Sequence, residues 1–255
     1  MTRRQWLTRR WLPIALVMGV VSLGLAIPAV AGDLPPAEKV LEKYAQAIGG
    51  EAVAKAKNMS AEFNFEMPMQ GVYATGVEYW VSPSNHYFRI DLATSGVADY
   101  EAGVTGDMAW EVHPMNGTRA LKGEEKKRSL RNAHLNPFAN WKSFYEKAET
   151  VAEETVKERA CYKVVFTPAE GASLSSYFDK ETGLLVREEL VGPSGVGATT
   201  DLDDWEETQG IRSPRTLQQK GSPAYTLRLT SVSYDVEDIP EDAFEAPASL
   251  TATAP

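Results

Sequence analysis

The residue types that most often perform chemistry in proteins are scattered in this sequence rather than grouped. The three histidines, His86, His113 and His134, lack the spacing of metal ligands, and none has a second histidine or a cysteine close by. The run 192–195, Gly-Pro-Ser-Gly, superficially resembles a turn that carries a nucleophilic serine, but its second glycine stands one position too early. We interpret this run as a flexible hairpin tip. These residues predict no catalytic site, and we expect the protein not to be an enzyme.

Acidic residues cluster around Trp205 and could in principle hold a hard cation such as Ca²⁺, which prefers several carboxylate oxygens. The cluster consists of Asp201, Asp203, Asp204, Glu206 and Glu207. It lacks the glycine-hinged spacing of a calcium loop, so a solvated acidic strand edge is the preferred interpretation. No glycine loop suited to phosphate binding occurs either. We therefore expect no metal and no cofactor.

The first 31 residues have the three parts of a secretory signal: four arginines, an apolar run over 11–27, and the exit Ala29-Val30-Ala31. The apolar run is at the short limit for a membrane anchor, so we expect cleavage after Ala31 and export to the periplasm. Gly32 follows the cut, and without a cysteine there no lipid can be attached. The pair Arg3-Arg4 also resembles a twin-arginine signal, and the choice between the two export routes stays open.

Removal of the signal would leave 224 residues and would take the net charge from −9 to −13, because four arginines are lost with no acid. An acidic surface repels nucleic acid, so we expect no such partner. The length suits a single domain over 32–247, followed by a disordered tail over 248–255. The one cysteine, Cys161, excludes an intramolecular disulfide and is interpreted as a small buried residue. We expect a monomer.

Hydrophobic periodicity predicts an α+β fold. Apolar residues at helical spacing indicate a helix over 37–48 and a short second helix over 51–57. From Met59 onward the pattern alternates, which is typical of strands with one apolar face; one or two helices over 122–148 interrupt it. About ten strands joined by short turns should form an antiparallel meander. We predict a curved half-barrel sheet with a few helices covering its concave side.

An aromatic set is the most suggestive feature of the pattern. It consists of Phe63, Phe65, Tyr79, Phe88 and Trp110 on successive strands, with Trp141 and Phe144 on the inserted helix. These residue types serve equally well in a filled core and in the wall of an apolar cavity, and the sequence does not separate the two. We take them as candidate ligand-binding residues on the concave side.

Three segments resemble the LolA/LolB-like superfamily, which contains periplasmic lipoprotein carriers and outer-membrane lipoprotein-sorting proteins. They are 44–52 (YAQAIGGEA), 177–187 (YFDKETGLLVR) and 239–244 (IPEDAF), and the resemblance spans most of 36–247. The resemblance implies a half-barrel sheet with a helical lid around an apolar cavity for acyl chains. It implies periplasmic binding of a lipid, an acyl chain or a lipoprotein, as carrier or sensor.

A second hypothesis is a non-enzymatic regulatory or partner-binding module of the bacterial envelope. Its partner would be an envelope membrane protein instead of a lipid or lipoprotein acyl chain. Fold similarity alone does not separate the two hypotheses, since one fold hosts many functions.

Overall fold

The computed structural model describes residues 34–83, 85–92, 97–192, 195–221 and 223–251. The predicted signal segment 1–31, the serine of the 192–195 run and the last four residues of the predicted tail lie outside the described residues. Within the described part of the tail, 248–251 form a short helix.

Four α-helices occur in the described residues: α1 Ala37–Ala47, α2 Glu51–Lys55, α3 Gly123–Asn132 and α4 Ala248–Thr251. Three short 3-10 turns accompany them, at Pro68–Gln70, Trp141–Ser143 and Glu241–Phe244. The predicted helices near residues 37 and 51 are confirmed, and α3 confirms a helix in the inserted segment. None of the helices in the described ranges is long and apolar enough to cross a membrane.

The strands dominate the structure. Their bounds are β1 Asn58–Met67, β2 Val72–Val81, β3 Asn85–Asp91, β4 Tyr100–Thr105, β5 Met108–His113, β6 Gly117–Ala120, β7 Lys147–Val156, β8 Arg159–Thr167, β9 Ser173–Asp179, β10 Leu185–Gly192, β11 Gly195–Thr208, β12 Ile211–Gly221 and β13 Tyr225–Tyr234.

All thirteen strands of the described part join one open sheet in the order β6-β5-β4-β3-β2-β1-β13-β12-β11-β10-β9-β8-β7. Every neighbouring pair is antiparallel, as the meander prediction requires. The predicted number of about ten strands is wrong. Short strands escape the periodicity argument: β6 is only Gly-Thr-Arg-Ala and carries no apolar alternation, yet it pairs with β5.

We call the face of the sheet that carries α1 the inner face, and the opposite face the outer face. The apolar stripe of α1, Ala37, Val40, Leu41 and Tyr44, is buried against side chains of β8, β9, β10 and β11. The Tyr44 ring meets Phe178 of β9 at a centroid distance of 5.4 Å, edge to face. Burial of this stripe, rather than helix propensity, stabilises so short a helix.

A contact across the inner face shows how strongly the sheet curves. Helix α3 packs on β4 and β5, yet Arg131 at its end lies 3.6 Å from Glu188 of β10. In the sheet order, β10 is seven strands from β4, which in a flat sheet would be about 34 Å. The sheet must therefore bend around its inner face, as the half-barrel prediction requires.

The segment after α3 differs from the prediction of a second helix carrying Trp141 and Phe144. The residues 137–146 form turns and a single 3-10 turn, Trp141–Ser143, and Lys147 already begins β7. The side chain of Asn136 accepts a hydrogen bond from the Phe138 amide at 3.1 Å, which favours a turn over a helix. Pairing of Ala148 with Phe166 of β8 then draws the chain into the sheet.

Candidate functional site

One apolar cluster of the inner face is built from strand side chains alone, and we call it the strand-only cluster. Its buried members are Phe63, Phe65, Ile90 and Leu227; its partly buried members are Met67, Val72, Ala74, Phe88, Leu92, Tyr100, Leu217, Tyr225 and Leu229. They come from or immediately adjoin six neighbouring strands, β4, β3, β2, β1, β13 and β12. The strand pairings place these residues on one face, because directly paired residues share a side.

The centre of the strand-only cluster is set by a glycine in a strand. The Phe63 ring stacks on Phe88 with centroids 4.8 Å apart and an interplanar angle of 10°. Phe63 lies over Gly76, where an added Cβ would stand 2.3 Å from the ring. A strand glycine with this contact marks a place where a side chain needs the room. Gly76 thereby allows two aromatic rings to lie side by side on the sheet.

The strand-only cluster is less covered than the cluster beneath α1. Among the described residues, nine of its thirteen members are only partly buried. The cluster that includes α1 has twenty members, and only seven of them are partly buried. The difference follows from the position of α1, which packs on β8 to β11 and not on the strand-only cluster. Apolar side chains near β1 and β3 therefore keep accessible surface on the inner side.

Side chains fill much of the inner face in this state, since the rings of Phe63, Phe88 and Tyr100 pack in sequence. A solvent-open depression of about 350 Å³ lies mainly on the outer face, where it is lined by Asn64, Glu66, Tyr73, Thr75 and Asp91. A second depression, of about 430 Å³, lies at the start of α3 beside Leu121.

Polar groups line the edge of the strand-only cluster. The Tyr100 hydroxyl donates to Glu111 at 3.4 Å, and Arg119 donates to the other oxygen of Glu111 at 2.7 Å. Burial raises the pKa of Tyr100, the charge of Glu111 raises it further, and the charge of Arg128 on α3 lowers it. Burial also raises the pKa of Tyr225, and Arg128 lowers it. The apolar surface therefore ends, beside Tyr100, at the Glu111–Arg119 ion pair.

A buried polar network lies next to the cluster beneath α1, against which Tyr145 packs. Arg131 is 5% exposed; its guanidinium lies 3.6 Å from Glu188 and donates to the Tyr145 hydroxyl at 3.2 Å. Burial opposes the charge of Arg131, but Glu188 and Tyr145 keep its pKa above the ordinary value. Neither Arg128 nor Arg131 was expected to be functional from the sequence. Their spacing of three residues indicates that both lie on one face of the charged helix, and this is the only sequence feature that points to them.

The predicted ligand-binding residues fall into three places. Phe63, Phe65 and Phe88 meet in the strand-only cluster. Trp141 instead packs on the cluster beneath α1, 6.2 Å from the Phe166 ring, and Phe144 lies beside His134 at 6.4 Å.

Tyr79 and Trp110 lie on the outer face, so their predicted placement on the concave side is wrong. Both are in register with outer-face residues, and their rings flank Tyr87 at 6.1 and 6.3 Å. Alternation along β5 shows that Trp110 and Ala109 face opposite ways, and it is Ala109 that packs inward with Leu121 and Ala133.

The C-terminal segment explains why an outer-face tryptophan is buried. Trp110 is 1% exposed. The turn Glu241–Phe244 lies against β3 and β4, and α4 lies against β6. Thr105, an outer-face residue of β4, donates a hydrogen bond to the Phe244 carbonyl. Since β5 stands between β4 and β6, we infer that the segment passes over β5 and covers Trp110.

The other candidate groups are engaged elsewhere. His86 pairs with Glu78 at 2.7 Å, and His113 accepts hydrogen bonds from the amides of Met115 and Asn116. Cys161 is buried, as predicted, and burial raises its thiol pKa. No group of three or more His, Cys, Asp or Glu side chains within the described ranges is arranged to hold a metal ion.

The acidic cluster around Trp205 is not a strand edge, because β11 lies between β10 and β12. Each of its five carboxylates has a partner: Arg187 and Lys220 for Asp201, Lys157 for Asp203, Thr216 for Asp204, Arg215 for Glu206 and Arg212 for Glu207. Neighbouring strands supply most of these partners. The carboxylates therefore serve local pairing.

Three solved structures share this architecture. A DUF1329 family protein from Desulfovibrio piger aligns with a TM-score of 0.61 and 14% identity, over 83% of this chain and 98% of that one. A LolA superfamily protein from Nitrosomonas europaea aligns with a TM-score of 0.58 and 13% identity, over 83% and 98%. An outer membrane lipoprotein-sorting protein domain from Vibrio parahaemolyticus gives 0.56 and 11%, over 81% and 97%.

No protein-family model matches this sequence. No curated protein matches it significantly. At identities of 11 to 14% the structural likeness concerns the fold, and the fold is LolA-like.

Proposed function

We propose, from this LolA-like fold and the strand-only cluster, that the protein binds an apolar chain on its inner face. The chain would belong to a lipid, a fatty acyl group or a lipoprotein, and the protein would act as a carrier or sensor without catalysis. We further propose that it works in the periplasm after cleavage at Ala31, as a single domain over 32–247. The observation that carries the proposal is the incomplete burial of the strand-only cluster.

Burial of hydrocarbon would supply the driving force. Each methylene removed from water contributes about 0.8 kcal/mol, which raises affinity by about fourfold. Because Phe63 and Phe88 stack on each other in the present state, a bound chain has to separate or overlie these rings. Affinity should therefore rise with chain length until the alkyl chain outgrows the cluster.

The proposal is tested with uncharged alkyl maltosides of eight to fourteen carbons, each below its micelle concentration. Displacement of the fluorescent probe N-phenyl-1-naphthylamine reports binding. We expect affinity to increase by about fourfold per added methylene over the shorter members. An affinity that does not depend on chain length, or no displacement at all, would contradict the proposal.

A matched pair of variants locates the binding face. Phe88→Ala removes a partly buried aromatic side chain from the inner face, and Tyr79→Ala removes one from the outer face of the neighbouring strand. We expect Phe88→Ala to weaken dodecyl maltoside binding by about tenfold and Tyr79→Ala to leave it unchanged. Thermal unfolding of both variants controls for loss of fold.

Native mass spectrometry of the protein from its own periplasm provides an independent readout. A co-purifying lipid supports the proposal. A stoichiometric protein in place of lipid would favour the partner-binding module instead.

A further inference from the structure

Two hairpin turns of the sheet share one sequence pattern: a proline, a methionine, a residue with a side-chain amide, and a glycine. They are Pro68-Met69-Gln70-Gly71, between β1 and β2, and Pro114-Met115-Asn116-Gly117, which joins β5 to β6. Both glycines have a positive φ, 69° for Gly71 and 74° for Gly117. The turns therefore require glycine at this position, because other residues rarely adopt this conformation. We call the two segments the methionine turns.

The methionine side chain of each turn is not required by the fold. Met69 is 87% exposed and Met115 is 86% exposed, more than any other large apolar side chain in the described ranges. Backbone bonds close both turns: the Gly71 amide donates to the carbonyl of Pro68 at 3.2 Å, and the amides of residues 115 and 116 donate to Nδ1 of His113. A polar side chain would serve these turns equally well, so folding does not account for the two methionines.

Both methionine turns lie at the same end of the sheet. Because neighbouring strands are antiparallel, β1, β3 and β5 run in the same direction, and the turns follow β1 and β5. Successive pairings through β4, β3 and β2 set Val112 of β5 level with Glu62 of β1. Met115 lies three residues beyond this level and Met69 seven. An offset of four residues over four strand spacings separates the methionines by about 23 Å along the sheet.

Charge distinguishes the methionine turns from turns at the opposite end of the sheet. Neither methionine turn contains a charged residue. The turns that follow β4, β7 and β9 lie at the other end and contain Asp107, Lys157, Glu158, Lys180 and Glu181. Moving a charged group out of water is costly, whereas an uncharged turn has no such cost. The methionine turns can therefore enter an apolar medium without desolvating a charge of their own.

The methionine turns adjoin the strand-only cluster. Met67 and Val72, which flank the first turn, are partly buried members of it. His113, which precedes the second turn, packs on the cluster member Tyr100 with ring centroids 5.9 Å apart. The strand-only cluster therefore extends to the end of the sheet that carries the methionine turns. An apolar medium in contact with both methionines would lie directly beside it.

The chemistry of the methionine turns favours a lipid bilayer over a protein as the partner. Complementary charges specify protein partners, and the turns offer none. Methionine is flexible and unbranched, so single side chains on separate turns can insert independently among fluid lipids. Glu66 and Asp99 lie at the same end, and the net charge is −9, so an anionic lipid surface is disfavoured.

We propose that the methionine turns dock the protein on the surface of a zwitterionic phospholipid bilayer, with Met69 and Met115 inserted among the lipids. Docking in this orientation places the end of the strand-only cluster against the membrane. An alkyl chain then passes between the bilayer and the inner face without crossing water. This transfer step rests on the proposed function, whereas docking itself does not.

The first test is flotation of the exported protein, purified from the periplasm, with phosphatidylcholine vesicles. We expect it to float with them, and Met69→Ser/Met115→Ser to lower its partition coefficient by at least about tenfold, because two apolar side chains no longer leave water. Met108→Ser/Val151→Ser is the matched control, since both side chains are exposed but lie outside the methionine turns. It should float as the unaltered protein does. Phosphatidylglycerol vesicles should bind the unaltered protein more weakly, chiefly at low salt.

The second test reports the position of each side chain in the bound state. Met69→Cys, Met115→Cys and the control Met108→Cys each carry the fluorophore NBD on the new thiol, because the native Cys161 is buried and reacts poorly. Phosphatidylcholine vesicles should shift the emission of the first two to shorter wavelength and raise its intensity several-fold. The emission of the third should not change.

The outcomes separate docking from the proposed function. Equal flotation of the two double variants, or equal spectral changes at positions 69 and 108, would overturn docking. Binding to phosphatidylglycerol vesicles alone would overturn the zwitterionic surface. A stoichiometric protein that co-purifies only when both methionines are present, without vesicle binding, would assign the turns to a protein partner and overturn the bilayer.

Dodecyl maltoside affinity completes the comparison. Met69→Ser/Met115→Ser should bind this ligand as the unaltered protein does, because neither side chain belongs to the strand-only cluster. Vesicle binding by a protein that binds no maltoside would leave docking intact and would overturn the proposed function together with the transfer step. Maltoside binding without vesicle binding would overturn docking alone.

Discussion

Arg131 of helix α3 and Glu188 of strand β10 lie 3.6 Å apart inside the curved sheet. Helix α3 packs on β4 and β5, whereas β10 belongs to the opposite half of the sheet. Glu188 is also 3.5 Å from the hydroxyl of Ser176, and Arg131 reaches Tyr145 and Asn132. The pair is therefore part of a polar network that connects the helix over the inner face with the strands beneath it.

Replacing Arg131 should destabilise the fold, because Glu188 would be left without its cation in a largely buried place. We expect Arg131→Met to reduce the free energy of unfolding by about 3 kcal/mol, measured by urea denaturation at pH 7. The double variant Arg131→Met/Glu188→Gln should be more stable than Arg131→Met, since it removes the uncompensated charge.

The exposed pair Lys39–Glu42 on α1 provides the control for this prediction. Lys39→Met should leave the free energy of unfolding nearly unchanged, because solvent screens such pairs. Similar losses of unfolding free energy for Lys39→Met and Arg131→Met would show that the buried pair stabilises the fold no more than an exposed pair does.

Much of the fold is predictable from local patterns, whereas the composition of the site is not. Alternation in β1 placed Phe63 and Phe65 together correctly, because only one face of that strand is apolar. Alternation in β5 placed Trp110 wrongly: the strand has apolar residues on both faces, and the outer one is covered by a C-terminal segment more than a hundred residues away. No pattern within one strand reports such a distant contact.

The charged helix α3 illustrates the same limit. Its sequence, GEEKKRSLRN, carries few apolar residues and favours a solvated surface helix. The burial of Arg131 arises only from the curvature of the sheet, which brings Glu188 within reach. Predicting it requires the tertiary arrangement, since an arginine on a polar helix carries no signal of its partner.

Acid pH should weaken an outer-face interaction centred on Asp201. This carboxylate is 0% exposed and accepts hydrogen bonds from Arg187 at 2.6 Å and Lys220 at 2.7 Å. Although burial opposes ionisation, these bonds lower its pKa below the ordinary value. Its stabilising contribution is thus complete above the unfolded-state pKa of about 4 and is lost as the pH falls through the lower folded-state value.

Asp201→Asn should therefore cost about 2 kcal/mol at neutral pH, and the difference from the unaltered protein should shrink below about pH 4. Urea denaturation at a series of pH values measures this. Asp107→Asn is the control, because the Asp107 side chain is 95% exposed and its pairing with Lys126 is screened. A difference for Asp201→Asn that does not vary with pH would contradict the assigned ionisation.

Gly76 should tolerate no side chain. An added Cβ would lie 2.2 Å from the Arg89 carbonyl and 2.3 Å from the Phe63 ring, so both strand pairing and ring stacking would have to change. We expect Gly76→Ala to destabilise the protein by about 3 kcal/mol, the upper range for overpacking. Gly197→Ala, also in a strand but with its nearest neighbour 3.7 Å away, should be nearly neutral. Equal effects would indicate a general cost of strand glycine replacement.

The C-terminal segment should act as a cover for the outer aromatic row of Tyr79, Tyr87 and Trp110. A chain that ends at Pro240 lacks the turn on β3 and β4 and the helix on β6. Trp110 should then become accessible to acrylamide, and the protein should lose about 2 kcal/mol from reduced apolar burial. The contribution of Trp110 to the fluorescence is isolated by comparison with Trp110→Phe in the same truncated chain.

A chain that ends at Thr251 is the matched control, because it keeps both contacts and removes only four residues. Its Trp110 quenching should equal that of the full chain.

The chain that ends at Pro240 should still bind dodecyl maltoside, since the removed segment lies on the outer face and the strand-only cluster lies on the inner one. Loss of ligand binding together with an unchanged melting temperature would mean that the two faces are coupled, contrary to the separation that the strand register describes.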